Sequence, residues 1–231
     1  MSIDRAAGAF LIGVPIAFNA FFFLLARLFD YPSVLRSPAG SVLSRFQAGG
    51  LRLKLVWYGF MLTAVLFAPL AVLLGQVLAR DDLQIVPVTT TIGVLAAVVQ
   101  FLGLARWPFL VPALARAYES PDSTPATREA TAVVFDSFNR YLGVAVGECL
   151  GYLLTGVWTV LVGIAMLQSA DFEAWLAWPG IAVGALLVLG SLEFVGGFEE
   201  RGSKLAGSIV PIAYIAWSLW LITSGVVLLA T

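Results

Sequence analysis

The chain has 231 residues, of which 60% are hydrophobic and only 12% charged, with a mean hydropathy of +0.95 and a net charge of −1. A soluble domain is about 45–50% apolar and about 25% charged, so a single soluble core is excluded and the chain reads as a polytopic membrane protein. The absence of histidine removes His-based metal sites, general bases and triads, the lone Cys149 excludes an internal disulfide, and the near-zero net charge offers no global basic field for nucleic acid.

A helix needs about 20 mostly apolar residues to cross about 30 Å of hydrocarbon. Six stretches qualify, at residues 7–26, 55–78, 90–105, 141–167, 179–196 and 209–229, which predicts an all-α, six-helix transmembrane bundle as one domain over residues 1–231. The first stretch is too long for a signal-peptide core and no small-residue cleavage site follows it, so it is expected to be a retained span.

Between the first two spans, Pro32 and Pro38 break the chain. Val42, Leu43 and Phe46 then share one helical face beside Arg45, which fits a short amphipathic helix lying on the membrane surface. An irregular loop whose charges only fix topology is the alternative. Pro108 and Pro112 bracket the end of the third span, where each removes a backbone donor and bends the helix. Turn and N-cap residues at 120–125 open the next loop. After them Val134, Phe135, Phe138 and Leu142 form an apolar stripe, and Asp136 and Arg140 an i,i+4 pair. This helix is expected to run into the fourth span or to bend near Gly143. The fourth span carries Gly143, Gly147, Gly151, Thr155, Thr159 and Gly163, one small residue every four positions. Such a seam lets another helix approach closely along its length. An internal partner is expected, with a homodimer as the alternative.

Eleven of the 13 Lys and Arg residues fall in the loops at one side, leaving only Arg5 and Arg80 on the other. That bias places the basic loops in the cytoplasm and both termini outside. Trp57 and Trp107 are expected at the inner interface and Trp175 and Trp178 at the outer one, with Trp158, Trp217 and Trp220 packing inside the bundle.

Two acids fall within the expected spans, Glu148 in the fourth and Glu193 in the fifth. At 1.5 Å per residue Glu148 lies roughly 10 Å and Glu193 roughly 7 Å from the inner helix ends, and Asn19, Gln100 and Tyr214 roughly 9–12 Å, with Thr63 near them. Six helices thus each offer a polar group at similar depth in the inner leaflet. An ionised side chain at a helix centre costs about 2.5–3.5 kcal/mol to insert, so the two carboxylates are expected to face the bundle interior. Arg106 and Arg140 are the expected counter-charges.

Several chemistries are excluded. Retinal-type Schiff bases need a lysine inside a span, whereas Lys54 and Lys204 sit at expected membrane edges. Intramembrane aspartyl proteases need two aspartates in spans, and a rhomboid-type dyad needs histidine. The run Glu199-Glu200-Arg201-Gly202-Ser203-Lys204 superficially matches the EExxxR motif of CAAX-type membrane proteases, but those enzymes also use histidines. Neither a phosphate-binding loop nor a dinucleotide fingerprint occurs.

Three runs carry a likeness to a known family: 106–112 (RWPFLVP), 141–159 (YLGVAVGECLGYLLTGVWT) and 210–220 (VPIAYIAWSLW). Together they resemble the bacterial membrane family catalogued as domain of unknown function 4386. The resemblance implies a six-helix bacterial inner-membrane protein and brings no substrate, cofactor or catalytic residue. The expectation for function is therefore a binding or transport bundle for a small molecule or ion, with Glu148 and Glu193 as proton or cation sites. The alternative is a non-transporting scaffold or sensor whose basic loops meet lipid or a cytoplasmic protein. Membrane lipids are the expected surroundings; no enzyme activity, cofactor, metal or nucleic-acid partner is expected.

Overall fold

A computed structural model describes residues 2–199 and 201–230, and among them helices alternate with short connections and no strand occurs. The main helices are α1 (Ile3–Phe29), α2 (Ala39–Ala48), α3 (Gly50–Leu78), α4 (Val86–Phe109), α5 (Val111–Glu119), α6 (Pro125–Phe138), α7 (Gly151–Met166), α8 (Ala174–Gly190) and α9 (Lys204–Ala230). A π segment, Asn139–Leu150, joins α6 to α7. Five stretches are long and apolar enough to cross a membrane: Ile3–Phe29, Gly50–Asp81, Val86–Glu119, Pro125–Met166 and Lys204–Ala230. The sixth expected span, α8, is apolar but has only 17 residues.

Six helices close a ring in the order α1, α3, α4, α7, α8, α9, with α9 returning to α1. Local sequence explains the tight contacts. Gly156 of α7 faces Gly184 of α8 so closely that a Cβ on either would strike the other's backbone. The ring is filled by Phe67, Trp158 and Trp217, whose rings meet edge to face at 4.9 and 5.5 Å from Phe67. Trp217 also donates to Thr159 Oγ1 at 2.9 Å, and Trp220 to the Leu176 carbonyl at 2.8 Å, so both buried indoles are satisfied. These are the packing tryptophans the sequence led us to expect, and Trp175 and Trp178 are exposed.

One end of the ring collects the loops that hold most of the basic residues, and it is capped by α2, α5 and α6 packed on one another. Here two expectations fail. The apolar face of α2 exists, but Val42, Leu43 and Phe46 are wholly buried against protein and do not lie on a membrane surface. Trp57 and Trp107 are likewise buried and stack face to face at 4.3 Å with an 8° tilt. Phe29, Phe46 and Phe135 surround them. An interfacial tryptophan would gain a headgroup contact; burial here gains far more aromatic area, because α2 and α5 supply a second hydrophobic core at this end.

The loops at the basic end are tied by Arg36 to Glu193 at 3.2 Å and by Arg140 to Glu199 at 3.9 Å. At the opposite end Arg80 holds Asp4 at 2.7 Å and Asp171 at 3.6 Å, gathering three separate stretches of chain.

Within the long Pro125–Met166 stretch the helix does continue, but through the π segment. Twelve residues of i→i+5 bonding are far longer than the usual single-turn π-bulge. The change of register starting at Asn139 removes the expected Asp136–Arg140 pair. Arg140 turns to Glu199 instead, and among the described residues Asp136 has no ion pair.

The stacked indoles should dominate stability at the basic end. Trp107→Ala is expected to cost about 3–5 kcal/mol, read as a fall in the thermal unfolding midpoint, whereas Trp178→Ala on the exposed face should leave it nearly unchanged.

Candidate functional site

A cavity of about 510 Å³ occupies the basic half of the bundle, between α1, α3, α4, the π segment and α9, with Tyr31 and Pro32 at its end. That volume lies within the range of small-molecule pockets, about 300–1,000 Å³. Most of its wall is aromatic. Phe18 stacks on Tyr214 at 5.7 Å and packs against Phe60 at 5.1 Å, while Tyr152 meets Tyr214 edge-on at 5.5 Å. Tyr31 fits between Phe22 and Trp57, at 5.4 and 5.3 Å. A second hollow of about 370 Å³ lies at the opposite end near Gln76, Asp82 and Thr90, and no buried charge lines it.

Four expected polar residues line the larger cavity: Asn19, Gln100, Glu148 and Tyr214. Asn19 donates to the Pro15 carbonyl at 2.7 Å and to Ser218 Oγ at 2.9 Å, using a carbonyl adjacent to a proline-bent turn of α1. Gln100 donates to Thr155 Oγ1 at 2.7 Å. Glu148 is half-buried, and its carboxylate has neither a hydrogen bond nor an ion pair among the described residues. Among the lining residues it is the only acid, and Arg106 the only base.

Arg106 reaches the cavity because glycines clear its path. A Cβ at Gly143 would overlap its guanidinium, and one at Gly103 would strike the Gly147 backbone. The buried guanidinium donates to the Gly103 carbonyl and to Asn139 Oδ1, the latter at 3.1 Å, and lies 5.3 Å from the Trp107 ring. Its Nε is buried without a partner. No carboxylate lies within ion-pair distance of it among the described residues, and Glu148 lines the same cavity.

The remaining expected residues lie elsewhere. Thr63 is buried and donates to the Phe60 carbonyl of its own helix at 2.6 Å, so it satisfies itself outside the cavity wall. Glu193 follows the end of α8 at Gly190 and is therefore not within a helix; its partner is Arg36, which sequence reasoning did not single out. Burial pushes the Glu193 carboxyl above the ordinary carboxylate range while the Arg36 guanidinium pulls it back. Arg140 serves Glu199 and is no counter-charge to either acid. Glu200 of the EExxxR-like run lies outside the described residues.

The seam of small residues also divides. Gly143, Gly147 and Gly151 face α4, Thr159 accepts from Trp217 of α9, and Gly163 packs against α8. No single helix follows it, because the π segment turns its lower half relative to α7. Tyr31, Tyr152 and the Phe18–Phe22 pair were missed as site residues. Tyr152 stands four positions after Glu148, and Phe18 and Phe22 are four apart beside Asn19, which is the spacing that could have revealed them.

A family model described as Domain of unknown function (DUF4386) matches residues 6–225. No curated protein and no solved structure gives a match.

The glycine contact between α4 and the π segment can be tested against a neutral control. Gly103→Ala should lower stability by about 1–3 kcal/mol through overpacking. Gly13→Ala, where a Cβ meets open space, should cause no loss, both read by thermal unfolding.

Proposed function

We propose that this chain, which belongs to the family described as a domain of unknown function (DUF4386), is a small-molecule-binding membrane bundle whose ligand occupies the cavity beside Glu148. The observation that carries the reading is a half-buried carboxylate with no protein partner in a pocket-sized, aromatic-walled cavity. An acid so placed within a membrane bundle is costly and is by default a functional candidate. Asn19, Gln100 and Tyr214 supply fixed polar groups that orient the ligand, and Arg106 sets the local potential.

In this reading the membrane is the bacterial cytoplasmic one, with the basic loops inside and both termini outside, as the basic-residue bias supports. The cavity then opens in the inner half. A transport cycle would use exchange of a proton or cationic group at Glu148, with the π segment as the element that changes register. Glu193 and its partner Arg36 clamp the loops and do not enter the cycle. The chain performs no covalent step and acts as a single bundle.

A second reading, a scaffold or sensor, draws on the α2–α5–α6 cap. There Val133, at 61% exposure, and Phe138, at 41%, stand on the outside of α6, available to lipid or a partner. One isosteric change separates the two. Glu148→Gln should fold with an unchanged unfolding midpoint. Ligand-induced thermal shifts, measured with a panel of fragment-sized amines, acids and neutral aromatics on protein in nanodiscs, should fall or vanish. If no compound shifts the unaltered protein and the substitution alters only its melting, the carboxyl is structural and the scaffold reading stands.

A further inference from the structure

Resting on that reading of the cavity, we infer that its ligand is a hydrophobic organic cation: an ammonium or similar onium group on an aromatic or alkyl body.

The free carboxylate in the wall points this way. Both carboxylate oxygens of Glu148 are free of hydrogen bonds among the described residues. Several donors, in contrast, already have partners. The terminal nitrogens of Arg106 donate to the Gly103 carbonyl and Asn139, the Asn19 amide to Pro15 and Ser218, and the Gln100 amide to Thr155. Arg106 Nε is left over, and so, among the described residues, are the hydroxyls of Tyr31 and Tyr152. An anionic ligand would meet the charge of Glu148 at close quarters, whereas a cation finds a carboxylate with no bonded partner.

The aromatic wall adds a second attraction. Phe18, Phe60, Trp107, Tyr152 and Tyr214 all border the cavity. Their electron-rich faces attract an onium group that cannot itself donate hydrogen bonds, and that attraction grows when water is excluded. Arg106 opposes a second cation. However, its guanidinium is held by neutral acceptors and lies against the Trp107 ring, which fixes it in place and leaves the Glu148 carboxylate without an ion-pair partner.

The route of entry fixes the hydrophobic body. Phe23 of α1 and Ile215 of α9 both line the cavity and are 56% and 58% exposed. The cavity thus reaches the outer, apolar surface of the bundle between these two helices. A molecule arriving there must dissolve in hydrocarbon. The same chemistry could come from a free amphiphilic amine or from the ammonium headgroup of a lipid.

Three probes that share a benzyl body and a tetrahedral head, with charges of +1, 0 and −1 on that head, decide the matter: benzyltrimethylammonium, benzyl methyl sulfone and phenylmethanesulfonate. Binding is read by tryptophan fluorescence of the full chain in nanodiscs of the uncharged lipid digalactosyldiacylglycerol, whose surface neither gathers the cation nor repels the anion. The cation should bind at least about tenfold more tightly than the neutral sulfone, with the sulfonate weakest. Glu148→Gln should bring the cation to the level of the sulfone and leave the sulfone unchanged. Because the ranking is measured on the unaltered protein, it decides the inference even if the variant fails to fold. Equal binding of cation and sulfone overturns the inference while leaving a small-molecule site in place, and so does tightest binding of the sulfonate. Binding of none of the three also overturns it, and the fragment panel then shows whether the binding reading falls too. Repeating the titration in phosphatidylcholine nanodiscs identifies the source. Competition by the choline headgroup supports onium recognition with lipid as the supplier, and an unchanged affinity supports it with a free solute as the supplier.

Discussion

The backbone contact between Gly103 and Gly147 is the constraint on which the site depends. It brings α4 against the π segment with no side chain between them. In membranes, close approach of this kind replaces the hydrophobic driving force that water would provide. Once the helices are this near, Gly143 leaves just enough room for the Arg106 guanidinium, which then finds the Gly103 carbonyl and Asn139. The i→i+5 bonding of residues 139–150 distributes the side chains differently from an α-helix, and Glu148 emerges on the cavity wall about one turn beyond Gly143 and two beyond Asn139. A buried guanidinium and a half-buried carboxylate therefore share one small volume because two glycines touch.

The rest of the wall follows from aromatic packing. Phe18, Phe60, Tyr152 and Tyr214 hold one another edge to face or stacked, so the cavity is bounded by rings whose positions are fixed by other rings. Beneath them the Trp57–Trp107 stack closes the floor and joins the cavity to the α2–α5–α6 cap. A ligand in the cavity would thus touch the same side chains that stabilise the basic end.

Span positions, the presence of a short amphipathic α2 and the cluster of Asn19, Gln100, Glu148 and Tyr214 in one region were legible because they depend on hydropathy and on the 1.5 Å rise of a helix. Depth, however, says nothing of direction around the helix axis. Thr63 sits near that layer yet bonds to its own backbone, and Glu193 lies beyond a helix that stops earlier than its apolar run. The π segment was not legible at all, and with it went the Asp136–Arg140 pair and the continuous seam. Its register depends on what α4 presents to it. Trp57 and Trp107 misled for a related reason: a tryptophan near a span end fits a lipid headgroup or a folded cap equally well, and only the cap's own helices decide between them.

The shortness of α8 reaches beyond the protein. Its 17 residues span about 26 Å, against a hydrocarbon layer of about 30 Å. The chain beyond it leaves the helix while still presenting apolar Leu192, Val195 and Phe198 outward. Irregular backbone is not tolerated against lipid tails. Of the six members of the ring, α8 is thus the one whose length suits a thinner apolar layer than the five longer stretches do, so that flank is where the protein would be most sensitive to bilayer thickness.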